Sequence, residues 1–334
     1  MKRNDLLMGV AAGLVSAVLF ATVIRGSLLG VLLFYLTPLP IAIVSLGWNH
    51  RAGLAASAVG VLAVAFVFRP LTGMLFAASF ALPSWWLAYL SLLAREAPAG
   101  VAVTKPGETA RQWYPLGGLA IWSACLAVLL TFALALALGP EYDAYRAAIE
   151  ELVQAALKIG FGEGVDELSG IGANALSVET IATLMANYFV PGIAAAASTI
   201  LSLLILLAAA KLVSLSGRLS RPLPRVTREF VLPPATLIGL ATSLVLVPFA
   251  GWPRFLAMAV AGAVLGLLAM QGLATAHVLI GRVAIRPLVL SVGYAMILIA
   301  EPWTMLTLAL LGIADMALAL RIHSIARSNP QSLS

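Results

Sequence analysis

Charged residues are scarce in this sequence. Lysine, arginine, aspartate and glutamate together make up 10% of its 334 residues, whereas soluble domains carry about 25%. Hydrophobic residues make up 62% of the chain. A soluble fold of this size has no way to bury so much apolar surface, because much of every small protein must face water. The composition therefore indicates an integral membrane protein that resides in a lipid bilayer.

Cysteine, histidine and the common catalytic motifs are also nearly absent. The one cysteine, Cys125, lies within an apolar run and excludes a disulfide within the chain. The three histidines have no metal-ligand spacing, and the sequence has no P-loop, no dinucleotide-binding glycine turn, no His-Glu-x-x-His and no Gly-x-Ser-x-Gly. We therefore expect no cofactor, no metal site, no catalytic residue and no recognisable enzyme activity.

Long apolar runs are abundant. A membrane helix needs about 20 apolar residues. Charges, prolines and glycines divide the sequence into ten such segments: 6–24, 28–47, 52–68, 71–94, 116–138, 180–210, 231–250, 254–281, 287–300 and 302–321. They predict an all-α integral membrane protein, a polytopic bundle of about ten transmembrane helices. The main alternative is eight, with one hairpin re-entrant, because segment 287–300 would reach only about 21 Å.

Basic residues are distributed unevenly between the segment ends. With the N-terminus inside, fifteen of the twenty lysines and arginines fall in cytoplasmic segments and nine of the fourteen acids fall outside. By the positive-inside rule, this predicts that both chain ends are cytoplasmic. We interpret residues 1–325 as one multi-pass membrane domain, followed by a short cytoplasmic tail, 326–334.

Two connecting segments are long. Segment 211–230 carries five basic residues against one acid, Glu229, which is typical of a cytoplasmic loop that touches anionic lipid headgroups. We expect no nucleic-acid partner, because Phe230 is the only aromatic residue among these charges. Segment 139–179 is acidic and external, and the two faces of residues 141–158 predict an amphipathic helix on the outer surface. That helix is either a surface cap or a mobile lid over a cavity.

One acidic residue, Asp315, lies clearly inside a predicted span. A charge at this depth is costly unless it is paired or hydrated. Arg321 is predicted to be a poor partner, since six residues turn a straight helix by about 240°. We therefore predict an interhelical ion pair of Asp315 with Arg282 or Arg286 that clamps the last helix. The alternatives are a ligand contact and exposure to water.

Polar residues near proline breaks are candidates for a ligand cavity. Pro191 removes a backbone hydrogen bond from the sixth segment and frees a carbonyl close to Asn187 and Tyr188. Interrupted helices of this kind line the binding sites of many transporters. Together with Gln271 and His277 in the eighth segment, these side chains are the predicted cavity residues. Purely structural kinks are the alternative.

Small residues recur at four-residue spacing in the first segment, at Gly9, Gly13 and Ala17. This spacing forms one stripe along a helix, which lets a neighbouring backbone approach closely. The stripe is predicted to pack against another helix, either within the chain or on a partner subunit.

Two short motifs in the last third carry a family resemblance. Gln271-Gly272-Leu273 is followed about 40 residues later by Leu311-Gly312-Ile313-Ala314-Asp315 and then by Arg321. This pattern resembles the closing signature of the YybS-like family of bacterial predicted membrane proteins, a domain of unknown function. Ala319 stands where that family often has a second acid.

The resemblance also implies a more distant relationship at the level of fold. YybS-like proteins are similar in helix pattern to the substrate-binding membrane subunits of energy-coupling-factor vitamin transporters and to MreD-type cell-shape proteins. The stripe at Gly9, Gly13 and Ala17 would then correspond to the face that docks a transmembrane partner. Fold analogy alone does not assign a function.

Taken together, these features favour a transporter-like protein that binds or passes an unknown small molecule. Membrane or ATPase partner subunits would supply the energy, because the chain has no ATPase motif of its own. The alternative is a scaffold of an envelope or cell-shape complex that has no ligand. A deep polar cavity would favour transport, and a solid apolar interior would favour the scaffold.

The predicted topology is open to a direct test. Reporter fusions placed after Arg95, Arg221 and Arg321 should read cytoplasmic, and a fusion near Glu163 should read external, because basic loops stay inside. A cytoplasmic signal from the Glu163 fusion would overturn the whole orientation.

Overall fold

The structure is a computed structural model that describes residues 3–96, 111–161, 177–283 and 285–326. The later part of the acidic segment 139–179 and the tail from residue 327 lie outside the described residues. The described helices are, in chain order, α1 (Arg3–Ala21), α2 (Leu28–Tyr35), α3 (Leu39–Gly47), α4 (His50–Val67), α5 (Pro70–Phe76), α6 (Leu82–Ser91), α7 (Leu116–Leu138), α8 (Tyr142–Phe161), α9 (Val178–Leu184), α10 (Val190–Leu215), α11 (Val226–Glu229), α12 (Ala235–Leu246), α13 (Trp252–Leu279), α14 (Arg286–Ile299), α15 (Trp303–Leu318) and α16 (Leu320–Ala326).

The chain forms two compact units. Unit 1 comprises Met1–Ser123 and Ile200–Leu232, and unit 2 comprises Ala124–Thr199 and Pro233–Ser334. Helices α7 and α10 each contribute residues to both units. Within the described ranges, the only sheet is a short antiparallel hairpin in unit 1, in which β1 (Ala94–Glu96) pairs with β2 (Arg111–Trp113).

In the part of the chain that the structure describes, seven helical segments are long and apolar enough to cross a membrane, by their length and composition. They are Arg3–Ile24, Leu28–Gly47, His50–Val67, Pro70–Ser91, Leu116–Leu138, Val178–Leu215 and Trp252–Leu279. Three shorter apolar helices are α12, α14 and α15. Each of the ten apolar segments read from the sequence falls on one of these ten helical stretches. The all-α membrane bundle is confirmed, while ten crossings and their orientation stay predictions.

Two prolines are each preceded by a π-helical turn. The turn Ala77–Ala81 comes two residues before Pro83 in unit 1, and the turn Met185–Phe189 comes two residues before Pro191 in unit 2. In both turns, the first amide after the turn bonds the carbonyl five residues back. Proline has no amide hydrogen and its ring crowds the preceding turn. The widened turn lets each span continue past the proline without a sharp break.

Backbone contacts between α1 and α4 hold unit 1 together. A Cβ atom on Gly9 would lie 2.7 Å from the carbonyl oxygen of Ala52, and one on Gly13 would collide with the carbonyl of Ala56. Ala17 packs against the same apolar core. Helix α4 of the same chain thus packs against the stripe at Gly9, Gly13 and Ala17. Because the contacting positions rise together along both helices, α1 and α4 run in the same direction, as alternate crossings of a bilayer require.

Helix α13 makes the corresponding close contacts in unit 2. A Cβ on Gly262 would collide with the backbone of Gly192, just after the second proline break. Further along, Gly272 and Gly312 bring α13 and α15 into backbone contact. Because these residues have no side chain, the backbones of the neighbouring helices touch directly at these points. The glycines therefore fix which polar side chains of unit 2 can meet.

The α1–α4 contact leads to a stability prediction. Gly13→Leu should lower the free energy of unfolding by about 1–3 kcal/mol, because the added side chain does not fit between two backbones in contact. Thermal unfolding in detergent measures the change. Gly293→Leu is the matched control, since a Cβ there meets nothing within 4 Å. Equal midpoints for the two variants would show that the α1–α4 contact is not close.

Candidate functional site

The π turn Met185–Phe189 places an amide side chain in the apolar interior of unit 2. Asn187 is only 7% exposed. Its Nδ2 donates to the carbonyl of Thr183 at 2.7 Å, and its Oδ1 accepts from the hydroxyl of Tyr142 at 2.7 Å. A buried amide without partners costs about 1–3 kcal/mol. These bonds therefore hold Asn187 in place and attach α8 to the turn.

A second tyrosine of α8 covers the carbonyl that the proline leaves free. In the five-residue register of the turn, the next partner of the Ala186 carbonyl would be Pro191, which has no N–H. The hydroxyl of Tyr145 donates to this carbonyl at 3.3 Å. Burial raises the pKa of the Tyr142 and Tyr145 hydroxyls. Both therefore stay protonated at neutral pH and act as donors.

Helix α8 covers most of residues 141–158, over which the sequence predicts an amphipathic helix. Tyr145 and Ile149 are buried, whereas Leu152 and Ile159, further towards the C-terminal end of the helix, are exposed. Glu150 accepts a bond of 3.0 Å from the hydroxyl of Thr183 in α9. The helix is thus attached along one side of the π turn by three side-chain hydrogen bonds.

Aromatic side chains surround this attachment. The ring centroids of Phe132 and Trp252 lie 5.3 Å apart, those of Tyr142 and Trp252 lie 5.5 Å apart, and those of Tyr145 and Phe255 lie 5.1 Å apart. All three pairs meet edge to face, the arrangement that ring quadrupoles favour. We call these five residues the aromatic wall. It places apolar, flat surfaces beside the buried amide.

Tyr188, the second predicted cavity residue of the π turn, contacts Arg254. The guanidinium carbon of Arg254 lies 5.0 Å from the centroid of the Tyr188 ring. The same side chain donates to the carbonyls of Val247 at 3.1 Å and Pro248 at 3.5 Å, just after α12. Tyr188 therefore contacts a cation of its own chain, a contact worth about 0.5–1 kcal/mol at an exposed site.

The two halves of the C-terminal motif meet in a second polar cluster. Where Gly272 and Gly312 touch, Gln271 donates from Nε2 to Asp315 Oδ2 at 3.1 Å. Arg321 donates to the same oxygen from Nη2 at 2.7 Å and from Nε at 2.8 Å, while its backbone amide donates to Oδ1 at 3.0 Å. Both carboxylate oxygens are thus bonded in a buried, fully charged pair.

The prediction that Arg321 is a poor partner for Asp315 is wrong. It assumed one straight helix between the two residues. Instead, α15 ends just before Ala319, which adopts a left-handed conformation with φ 49° and ψ 42°, and α16 starts directly after it. This turn brings Arg321 back onto Asp315. Of the two arginines proposed instead, Arg286 is exposed, and the side chain of Arg282 lies outside the described residues.

The four predicted cavity residues do not share one site. Asn187 and Tyr188 lie near the start of α13, beside Arg254. Gln271 lies about 25 Å further along that helix. His277, near its end, bonds the Leu273 carbonyl through Nδ1 at 2.8 Å and meets the hydroxyl of Tyr294 through Nε2 at 3.2 Å. Hydropathy gives no register between helices, so the sequence could not separate the π-turn site from these residues.

Comparison with known proteins places the chain in a family. The sequence profile of a family described as "Predicted membrane protein (DUF2232)" matches residues 14–316. The chain belongs to this family. The expected YybS-like membership is confirmed by the match. No curated protein matches the sequence, and no solved structure does. The more distant similarity to vitamin-transporter subunits and to MreD-type proteins stays a prediction.

Sequence reasoning missed the partners of the π turn. Hydropathy and periodicity give no role at this turn to the residues that surround it, Tyr142, Tyr145, Trp252 and Arg254. The available signal was the spacing of the two tyrosines: positions three apart share one face of a helix. Nothing local in the sequence indicates which turn that face covers.

The corrected ion pair gives a double-mutant prediction. Asp315→Asn and Arg321→Gln should each lower the free energy of unfolding by about 3–5 kcal/mol, because each leaves an unpaired buried charge. The double variant should lose clearly less than the sum. Thermal unfolding in detergent measures all four proteins.

A control separates the pair from the backbone turn. Ala319→Gly relieves the left-handed backbone and leaves both charged groups intact, so it should keep or raise the unfolding midpoint. Additive losses in the double variant would show that Asp315 and Arg321 do not interact.

Proposed function

We propose that the protein is a transporter-like protein of a bacterial inner membrane that binds a small molecule at the π turn of unit 2. The observation that carries this proposal is the hydrogen bond between the buried Asn187, on a proline-interrupted span, and the partly buried Tyr142 of helix α8. Irregular backbone at membrane depth is tolerated where protein or a cavity surrounds it. π turns also recur at functional sites.

The proposed site offers acceptors and flat apolar surfaces. When α8 moves away, Asn187 Oδ1 and the Ala186 carbonyl lose the tyrosine donors that now satisfy them. Trp252 and Phe255 of the aromatic wall would stay in place, and Arg254 adds a cation at the edge of the site. These groups suit a ligand that has hydrogen-bond donors on a flat apolar ring. The two tyrosine hydroxyls then stand in for the ligand's donors in the closed form.

Helix α8 is suited to act as the lid. It is not among the helices apolar enough to span the membrane, and its hydrogen bonds to the turn and to α9 are few. Each such bond contributes only about 0.5–1.5 kcal/mol net. Opening would expose Trp252 and Phe255, which now pack against the two tyrosines of α8, so a ligand that covers these two rings would recover the lost contact.

We also propose ten crossings with both chain ends in the cytoplasm. The distribution of basic residues supports this orientation, and the parallel direction of α1 and α4 supports regular alternation. The short helices α12, α14 and α15 have 12, 14 and 16 residues, or about 18–24 Å. To cross, they would need flanking residues or a locally thinned bilayer.

Partner subunits would couple the movement of the ligand to an energy source, since the chain has no ATPase motif. The stripe at Gly9 and Gly13 is filled by α4, so the partner contact would lie elsewhere. Helix α14 is the better candidate, because none of its described residues is buried. The same exposed helix favours the second candidate function, a membrane scaffold of an envelope or cell-shape complex that has no ligand.

Native mass spectrometry of gently solubilised protein tests ligand binding. Wild type should retain a small molecule, and Asn187→Leu should lose it, because the amide that receives the ligand is gone. Thr131→Val is the matched control, since Thr131 is also buried in unit 2 but bonds only the Ala127 carbonyl of its own helix. A wild type without adduct, or an adduct unaffected by Asn187→Leu, would favour the scaffold.

Lid opening has its own readout. Thr183→Cys, in a Cys125→Ser background, should react slowly with a water-soluble maleimide while α8 covers it. Adding Tyr142→Phe and Tyr145→Phe removes two bonds and should speed the reaction roughly 30-fold, as about 1 kcal/mol per bond implies. An unchanged rate would exclude α8 as a lid.

A further inference from the structure

Arg221 occupies an unusual position for a loop arginine. It follows α10 in unit 1 and is only 9% exposed. Its Nη1 donates to the carbonyl of Ser91 at 3.1 Å and to that of Tyr114 at 3.4 Å. Ser91 ends α6 and Tyr114 lies just before α7, so the guanidinium is held between two helix ends. Nearby in unit 1, Arg218 stacks on Trp48 at 4.6 Å from the ring centroid.

One edge of the Arg221 guanidinium has no hydrogen-bond partner among the described residues. Nε is buried without a hydrogen-bond partner, and Nη2 makes no hydrogen bond to the described residues. No ion pair joins Arg221 to a carboxylate in the described ranges, and Glu229 attracts it only at longer range. Burial lowers the pKa of Arg221, yet an arginine stays charged at neutral pH. A buried charge of this kind calls for an anion.

Trp86 provides a second unpartnered donor in unit 1. Its indole Nε1 is buried and has no hydrogen-bond partner among the described residues. Trp86 lies on α6, five residues before Ser91 and so about 7.5 Å deeper. Its ring packs on those of Tyr89 and Trp122, at 5.8 Å and 5.4 Å between centroids. Clustered tryptophan and tyrosine rings are typical of the interfacial layer of a membrane.

We propose that this end of unit 1 binds one acidic phospholipid. The phosphate accepts from Nε and Nη2 of Arg221, whose planar fork matches two phosphate oxygens. An acyl ester carbonyl, which lies below the phosphate in a phospholipid, accepts from Nε1 of Trp86. Arg218 and Arg225 add the positive field that favours an acidic headgroup. Inorganic phosphate offers the same oxygens without the ester, so the experiment compares both sources.

Thermal unfolding of the full-length protein in detergent tests the site. Phosphatidylglycerol should raise the midpoint of wild type more than phosphatidylcholine does, and inorganic phosphate at equal ionic strength should leave it unchanged. Arg221→Gln should abolish the rise and weaken the apparent lipid affinity roughly ten-fold to a hundred-fold. Arg228→Gln removes the same charge from an exposed side chain and should keep the rise.

Two further measurements make the outcome decisive. Arg221→Lys keeps the charge but loses the fork, so it should also lose most of the rise. If Arg221→Gln does not fold, the lysine variant still tests the site. Native mass spectrometry then also shows whether wild type retains a phospholipid. Equal rises in wild type and the Arg221 variants would refute the site. An equal rise with inorganic phosphate would show that a free anion, and not a lipid, is the ligand.

Discussion

Polar groups inside apolar helices must find their partners within the chain, because the hydrocarbon around a membrane helix offers none. Both polar clusters of unit 2 follow from this requirement. At the π turn, tyrosines from a surface helix satisfy Asn187 and the carbonyl that Pro191 leaves free. At the other end of α13, Gln271 and Arg321 together satisfy Asp315. The glycine contacts bring the helices close enough for these bonds to form.

The spans and the amphipathic helix α8 could be predicted from the sequence because hydropathy and periodicity are local properties. Pro191 also marked the right turn, since the loss of an amide hydrogen is a local effect. The partners of that turn could not be predicted. Tyr142 is 45 residues away from Asn187 along the chain, and no periodic pattern states which helices pack together. The same lack of register left Gln271 grouped with the wrong neighbours.

The error at Asp315 had a different physical cause. Alanine is the strongest helix former, so nothing at Ala319 indicated a left-handed residue. That conformation costs about 1–2 kcal/mol for a residue with a Cβ. The bonds that Arg321 makes to Asp315 offset this cost, and they form only because the helix ends there. Tertiary contacts thus overrode local propensity at one residue, and the straight-helix geometry failed with it.

The π turn at Met185–Phe189 has a consequence for how this span can change during evolution. Each helical residue turns the chain by about 100°, so one added or removed residue rotates everything beyond it to a new face. Deleting a residue from the turn would restore a regular α-helix and swing Gly192 away from Gly262, although every remaining side chain is unchanged. The length of this segment therefore constrains the protein as strictly as its composition, and relatives should differ there by substitution and not by insertion or deletion.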